Sequence, residues 1–94
     1  MSSFAMRVKD LIELIDELIM EDKWFWPHLV DVQIGWDYYK HKRYDIVVEL
    51  VDEGPQEDLE RSARELVDIL RKHGFEATVA HRQEGKILIR VEVD

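Results

Sequence analysis

An α+β fold, a two-layer αββαββ sandwich in which one four-stranded antiparallel sheet carries both helices on one face, is predicted by three observations. Two segments repeat apolar residues at helical spacing, four alternate them, and turn signals arrange the six as helix, hairpin, helix, hairpin over 94 residues. A chain of this length is expected to be one domain, residues 1–94, built of two helix-hairpin units at 4–51 and 55–93 over a single core.

The first helix is expected over residues 4–23, because Phe4, Val8, Leu11, Ile12, Ile15, Leu18 and Ile19 recur every three or four positions and Leu14 widens the stripe. Pro27 is expected to end it, since proline disfavours helical geometry at Trp26 and donates no backbone hydrogen bond. Residues 29–39 then alternate, with Val30, Val32, Ile34, Trp36 and Tyr38 facing inward and Asp31, Gln33, Gly35, Asp37 and Tyr39 outward. After a turn at Lys40, His41, Lys42 and Arg43, residues 44–51 set Ile46, Val48 and Leu50 inward and Asp45, Val47, Glu49 and Val51 outward.

Gly54 and Pro55 break that strand, and Pro55 suits the first turn of a helix, where its missing N–H costs nothing. The second helix, residues 56–73, buries Leu59, Ala63, Leu66, Val67 and Leu70, and Gly74 is placed to end it in the left-handed conformation. Its charges are laced at i,i+4 spacing, Glu57 to Arg61, Glu60 to Arg64, Arg61 to Glu65 and Asp68 to Lys72, each pair worth about 0.2–0.5 kcal/mol. The last hairpin pairs 75–82 with 86–93 across Gly85, with Phe75, Ala77, Val79, His81, Ile87, Ile89, Val91 and Val93 in the inward register.

Moving the last strand to the front would turn αββαββ into βαββαβ, so the order resembles a circularly permuted ferredoxin-like topology. The resemblance is one of topology alone. It implies the strand order third, fourth, second, first, with 44–51 and 86–93 central and Glu49 and Arg90 neighbours on the uncovered face.

Apolar residues at 46% and charged residues at 36% are globular values. Residues 1–6 lack the basic and apolar regions of a signal peptide, and no apolar run nears the roughly 20 residues of a membrane span, so a soluble cytoplasmic protein without membrane contact is expected. Cysteine is absent, which removes disulfides, thiolate nucleophiles and Cys-type zinc sites. Asparagine is also absent and threonine occurs once, at Thr78; such depletion beside abundant charge fits a thermophilic source.

Four features could carry function. On the first helix, Asp10, Glu13, Glu17 and Glu21 form an acidic stripe with no basic residue between Lys9 and Lys23, readable as a docking surface for a basic protein or as a solvated face. Trp24 and Trp26, with Trp36 and Tyr38 of the first hairpin, could line a ligand pocket between the first helix and the sheet, or cap the core. The basic turn at 40–43, flanked by tyrosines, is the one nucleic-acid-like cluster, but a net charge of −8 repels phosphates and makes such a partner disfavoured. Finally, Val47, Val51 and Leu88 interrupt the polar outward register among Glu49, Arg90 and Glu92, as an interface would.

No metal, cofactor or catalytic constellation is spelled out: His28, His41, His73 and His81 lack ligand spacing, and Ser2, Ser3 and Ser62 lack a nucleophile context. The leading expectation is a small non-enzymatic interaction module, a homodimer joined through Val47, Val51 and Leu88 with Glu49 and Arg90 among its polar contacts. The alternative is a small-ligand-binding domain or minor enzyme using the aromatic pocket.

Overall fold

The computed structural model describes residues 4–39 and 43–92, and within these the side chains of 6–35 and 46–92. In chain order they form α1 (Phe4–Met20), β1 (Leu29–Tyr39), β2 (Arg43–Asp52), α2 (Gln56–Lys72), β3 (Glu76–Gln83) and β4 (Lys86–Glu92). The strands make one open antiparallel sheet in the order β1-β2-β4-β3, the order expected from the sequence.

Alternation in the two central strands builds the floor of the core. Ile46, Val48 and Leu50 of β2 pair with Val91, Ile89 and Ile87 of β4, and all six are fully buried. Leu11, Leu14, Ile15 and Leu18 of α1 and Leu59, Ala63, Leu66, Val67 and Leu70 of α2 join them in one cluster, so both helices cover the same sheet face. The Cα trace is 19 Å through its thinnest direction, the depth of one helix layer on one sheet.

The stripe of α1 is narrower than its apolar content. Leu11, Leu14, Ile15 and Leu18 lie within an arc of about 100° on the helix, and Ile12, expected inside, falls beyond it and is exposed. The helix also stops at Met20, not at residue 23, and Pro27 is not what stops it. Asp22 adopts a left-handed φ of 53°, its N–H donates to the Ile19 carbonyl, and the Lys23 N–H donates to Leu18, which together close a Schellman turn. α2 ends in the same motif around Gly74, at φ 88°, with the Phe75 N–H on the Leu70 carbonyl and the Gly74 N–H on Arg71.

Both edge strands carry a bulge, and each changes which residues face inward. In β1 the register shifts between Leu29 and Asp31, so Leu29 takes the inward place expected for Val30, which is 55% exposed. In β3 the shift lies between Val79 and His81. His81 therefore pairs with outward Leu88, correcting its expected inward position, while Arg82 pairs with Ile87 and reaches the helix layer at Glu60, Nε to Oε1 2.8 Å.

The segment between α1 and β1 is tied to α2. Trp24 is 2% exposed, its indole Nε1–H donates to the Ser62 carbonyl at 2.8 Å, and its ring stacks on Trp26 with centroids 6.3 Å apart. Phe25 lies under the Arg61 guanidinium at 4.0 Å, and its N–H donates to Glu65 Oε1. Three residues expected to lace α2, Glu60, Arg61 and Glu65, thus engage other segments, because partners fixed by packing lose less rotamer freedom than exposed i,i+4 pairs.

The two helix ends make opposite stability predictions. Asp22→Gly should stabilise the protein by about 0.5–1 kcal/mol by relieving the left-handed strain, and Gly74→Ala should destabilise it by about 1 kcal/mol, both read from urea unfolding midpoints.

Candidate functional site on the open sheet face

Among the described residues, the outward register of β2 and β4 meets no helix. Val47 lies opposite Arg90, Glu49 opposite Leu88 and Val51 opposite Lys86, with Gly35 and Gln33 of β1 beside Val47 and Glu49. Gln33, Gly35, Val47, Glu49, Leu88 and Arg90, with Ala80 of the β3 bulge, line a shallow groove across this face. Its depth has a simple origin: Gly35 has open space where a Cβ would stand, and Ala80 contributes only a methyl group on the far side.

Val47, Val51 and Leu88 are half-buried by their neighbours, with no described element laid over them. Glu49 and Arg90 share the face as a diagonal pair, and the Glu49 carboxylate makes its ion pair with Lys86 Nζ at 3.7 Å. All five residues of the expected interface are therefore on one surface that no described element covers.

The acidic stripe of α1 is less bare than its sequence reads. Lys9 reaches Glu13 at 3.8 Å, and Lys23, turned back by the Schellman motif, reaches Glu21 at 2.9 Å and Glu17 at 3.9 Å. Asp10 is exposed beside them. The hydrogen bond and charge of Glu21, then the charge of Glu17, hold Lys23 above the ordinary lysine value of 10.5. A raised lysine pKa means that the small stabilisation is present at neutral pH and lost only as pH climbs through the raised value. Exposed Ile12 and Met20, the latter 81% exposed, lie on the same helix.

The expected aromatic pocket divides. Trp24 is core, its one polar atom already bonded to Ser62, and Trp26 is half-buried against it. The side chains of Trp36 and Tyr38 lie outside the described residues, as do the basic turn at 40–42, the side chain of Arg43, and Val93.

The described histidines are held apart from one another. His73 Nδ1 donates to the Ile69 carbonyl, His81 sits 3.3 Å from Gln83 Oε1, and His28 Nε2 lies 3.3 Å from Asp58 Oδ2. The last pair was not legible in the sequence, since the residues are 30 positions apart and meet only because the turn after β2 passes beneath His28. A Cβ on Gly54 would sit 2.6 Å from the Cβ of His28 and closer to its ring, so only glycine fits there. Asp52 closes the same turn, with Oδ1 accepting the Gly54 N–H at 2.6 Å in an Asx arrangement.

Comparison with known protein families, curated proteins and solved structures finds no match. The class that the geometry defines is an open-faced α+β sandwich.

The face assignment is tested by neighbouring substitutions on β4. Leu88→Glu should leave a folded chain destabilised by less than about 1 kcal/mol, whereas Ile89→Glu, on the buried side, should cost more than about 3 kcal/mol and abolish cooperative unfolding by circular dichroism.

Proposed function

We propose that this protein is a small non-enzymatic interaction module that works as a homodimer through the open sheet face. Its topology is read as a circularly permuted relative of the ferredoxin-like sandwich, in which the sheet face opposite the helices is the surface left for a partner. The observation that carries the reading is the position of Val47, Val51 and Leu88, half-buried on the two central strands with both helices on the other side.

Two features support the face over the edges as the contact. β1 and β3 are each kinked by a bulge, and Arg71 Nε donates to the Ala77 carbonyl of β3 at 3.0 Å, so neither edge is a flat template for a further strand. The three aliphatics also lie amid both signs of charge, Glu49 on β2 and Lys86 and Arg90 on β4, which suits a surface that must match itself. Burying them at about 25 cal/mol per Å² recovers a few kcal/mol before association costs, consistent with a dimer of moderate affinity.

A second reading gives α1 a basic partner, on the strength of Ile12 and Met20 exposed on the helix that bears Asp10, Glu13, Glu17 and Glu21. The two surfaces are separable. Glu13→Lys combined with Glu17→Lys should reduce binding of an oligolysine peptide at low salt and leave self-association unchanged; equal binding by the variant and the parent would reduce the stripe to a solvated face.

For the dimer, sedimentation velocity should show two copies together at micromolar concentration, and Leu88→Glu should yield a folded monomer. A parent protein that stays monomeric at high concentration would overturn the reading.

A further inference from the structure

One buried carboxylate has a partner on only one of its oxygens. Asp52 continues the inward register of Ile46, Val48 and Leu50 and is 6% exposed. Its Oδ1 accepts the Gly54 N–H, whereas Oδ2 is buried and bonded to nothing in the chain. A carboxylate oxygen taken out of water without a donor is costly, so such an atom marks a place that a group from outside the chain completes.

Asp52 lines an open hollow of about 590 Å³ between the turn that leads from β2 into α2 and the hairpin turn joining β3 to β4. Gln56 ties the two turns together, its Oε1 accepting the Gly85 N–H at 3.0 Å and its Nε2 donating to the Gln83 carbonyl at 3.2 Å. The charged residues of the wall are Asp52, Glu53 and Glu84, all acids. Bases on adjoining segments are engaged elsewhere: Arg82 with Glu60, Lys86 with Glu49, and His28 with Asp58. The N-terminus of α2 brings about half a positive charge to this end, and Glu57 in its first turn already offsets it. The hollow therefore favours a cation.

Among the described residues no three His, Cys, Asp or Glu side chains converge as metal ligands. Acids distributed round a hollow suit a ligand whose positive charge is distributed too. Gly54 and Gly85 leave parts of the wall without side chains, and Pro55 offers an apolar surface to methylene groups. We propose that this hollow binds a small unbranched aliphatic diamine, one ammonium group donating to Asp52 Oδ2 and the other held by the exposed carboxylates of Glu53 and Glu84. The site is on the helix side of the sheet and does not rest on the homodimer reading.

Isothermal titration calorimetry with putrescine at low salt should show saturable binding of one molecule per chain, and butylamine, with a single amine, should bind more weakly. Asp52→Asn keeps an acceptor for the Gly54 N–H and should weaken putrescine binding about tenfold or more, with folding confirmed by circular dichroism. Glu53→Gln combined with Glu84→Gln, at exposed positions, should weaken it several-fold. Glu13→Gln combined with Glu17→Gln removes the same charge from α1 and should leave binding unchanged. An equal loss in that control would reduce the binding to attraction by net charge and overturn the proposal. Unchanged affinity in Asp52→Asn would also overturn it, as would no heat at millimolar putrescine, which would leave Oδ2 to water alone. Tight binding of magnesium with none of putrescine would overturn it in favour of a metal.

Discussion

The pairing of β2 with β4 governs the rest of this domain, because it sets six aliphatic side chains in one plane for both helices to cover. Ile46, Val48, Leu50, Ile87, Ile89 and Val91 are all fully buried; a slip of one residue in β2 would exchange its three for residues that include Glu49, and a slip in β4 would bring in Leu88 and Arg90. Either slip would bury at least one charge against the helices, at a cost of several kcal/mol. The register is therefore strongly determined, and with it the identity of the face that remains open.

The helices are held to that floor by different means. α2 packs continuously, from Leu59 to Leu70, and closes at Gly74. α1 is joined to it at both ends: Arg7 reaches over the Phe75 ring at 4.3 Å, and Trp24 plugs into α2 at Ser62. The aromatic run after α1 thus reads as an anchor. Trp24 enters the core, Trp26 stacks on it, and Phe25 lies beneath Arg61.

Charge is used differently on the two layers. On the helices, lysines and arginines find partners across turns and between elements, so the formal asymmetry of α1 is softened by Lys9 and Lys23. On the open face, the Glu49 carboxylate pairs with Lys86 of the neighbouring strand beside the apolar side chains of Val47, Val51 and Leu88.

Much of this architecture was legible in the chain itself. Period-two alternation and period-3.6 stripes determined the six elements, the strand order that follows from their connection, the buried central positions and the outward placement of Val47, Glu49, Val51, Leu88 and Arg90, because burial of a periodic face is a local constraint repeated at every residue. Gly74 announced its helix end for the same kind of reason, a backbone conformation that suits one residue type. What only the tertiary structure decided were events where the period breaks. Asp22 took a left-handed conformation that nothing in its side chain demands, bulges moved Val30 and His81 to the opposite face, and His28 met Asp58 across the turn at Gly54. Each depends on the position of another element, which packing determines and local pattern does not record.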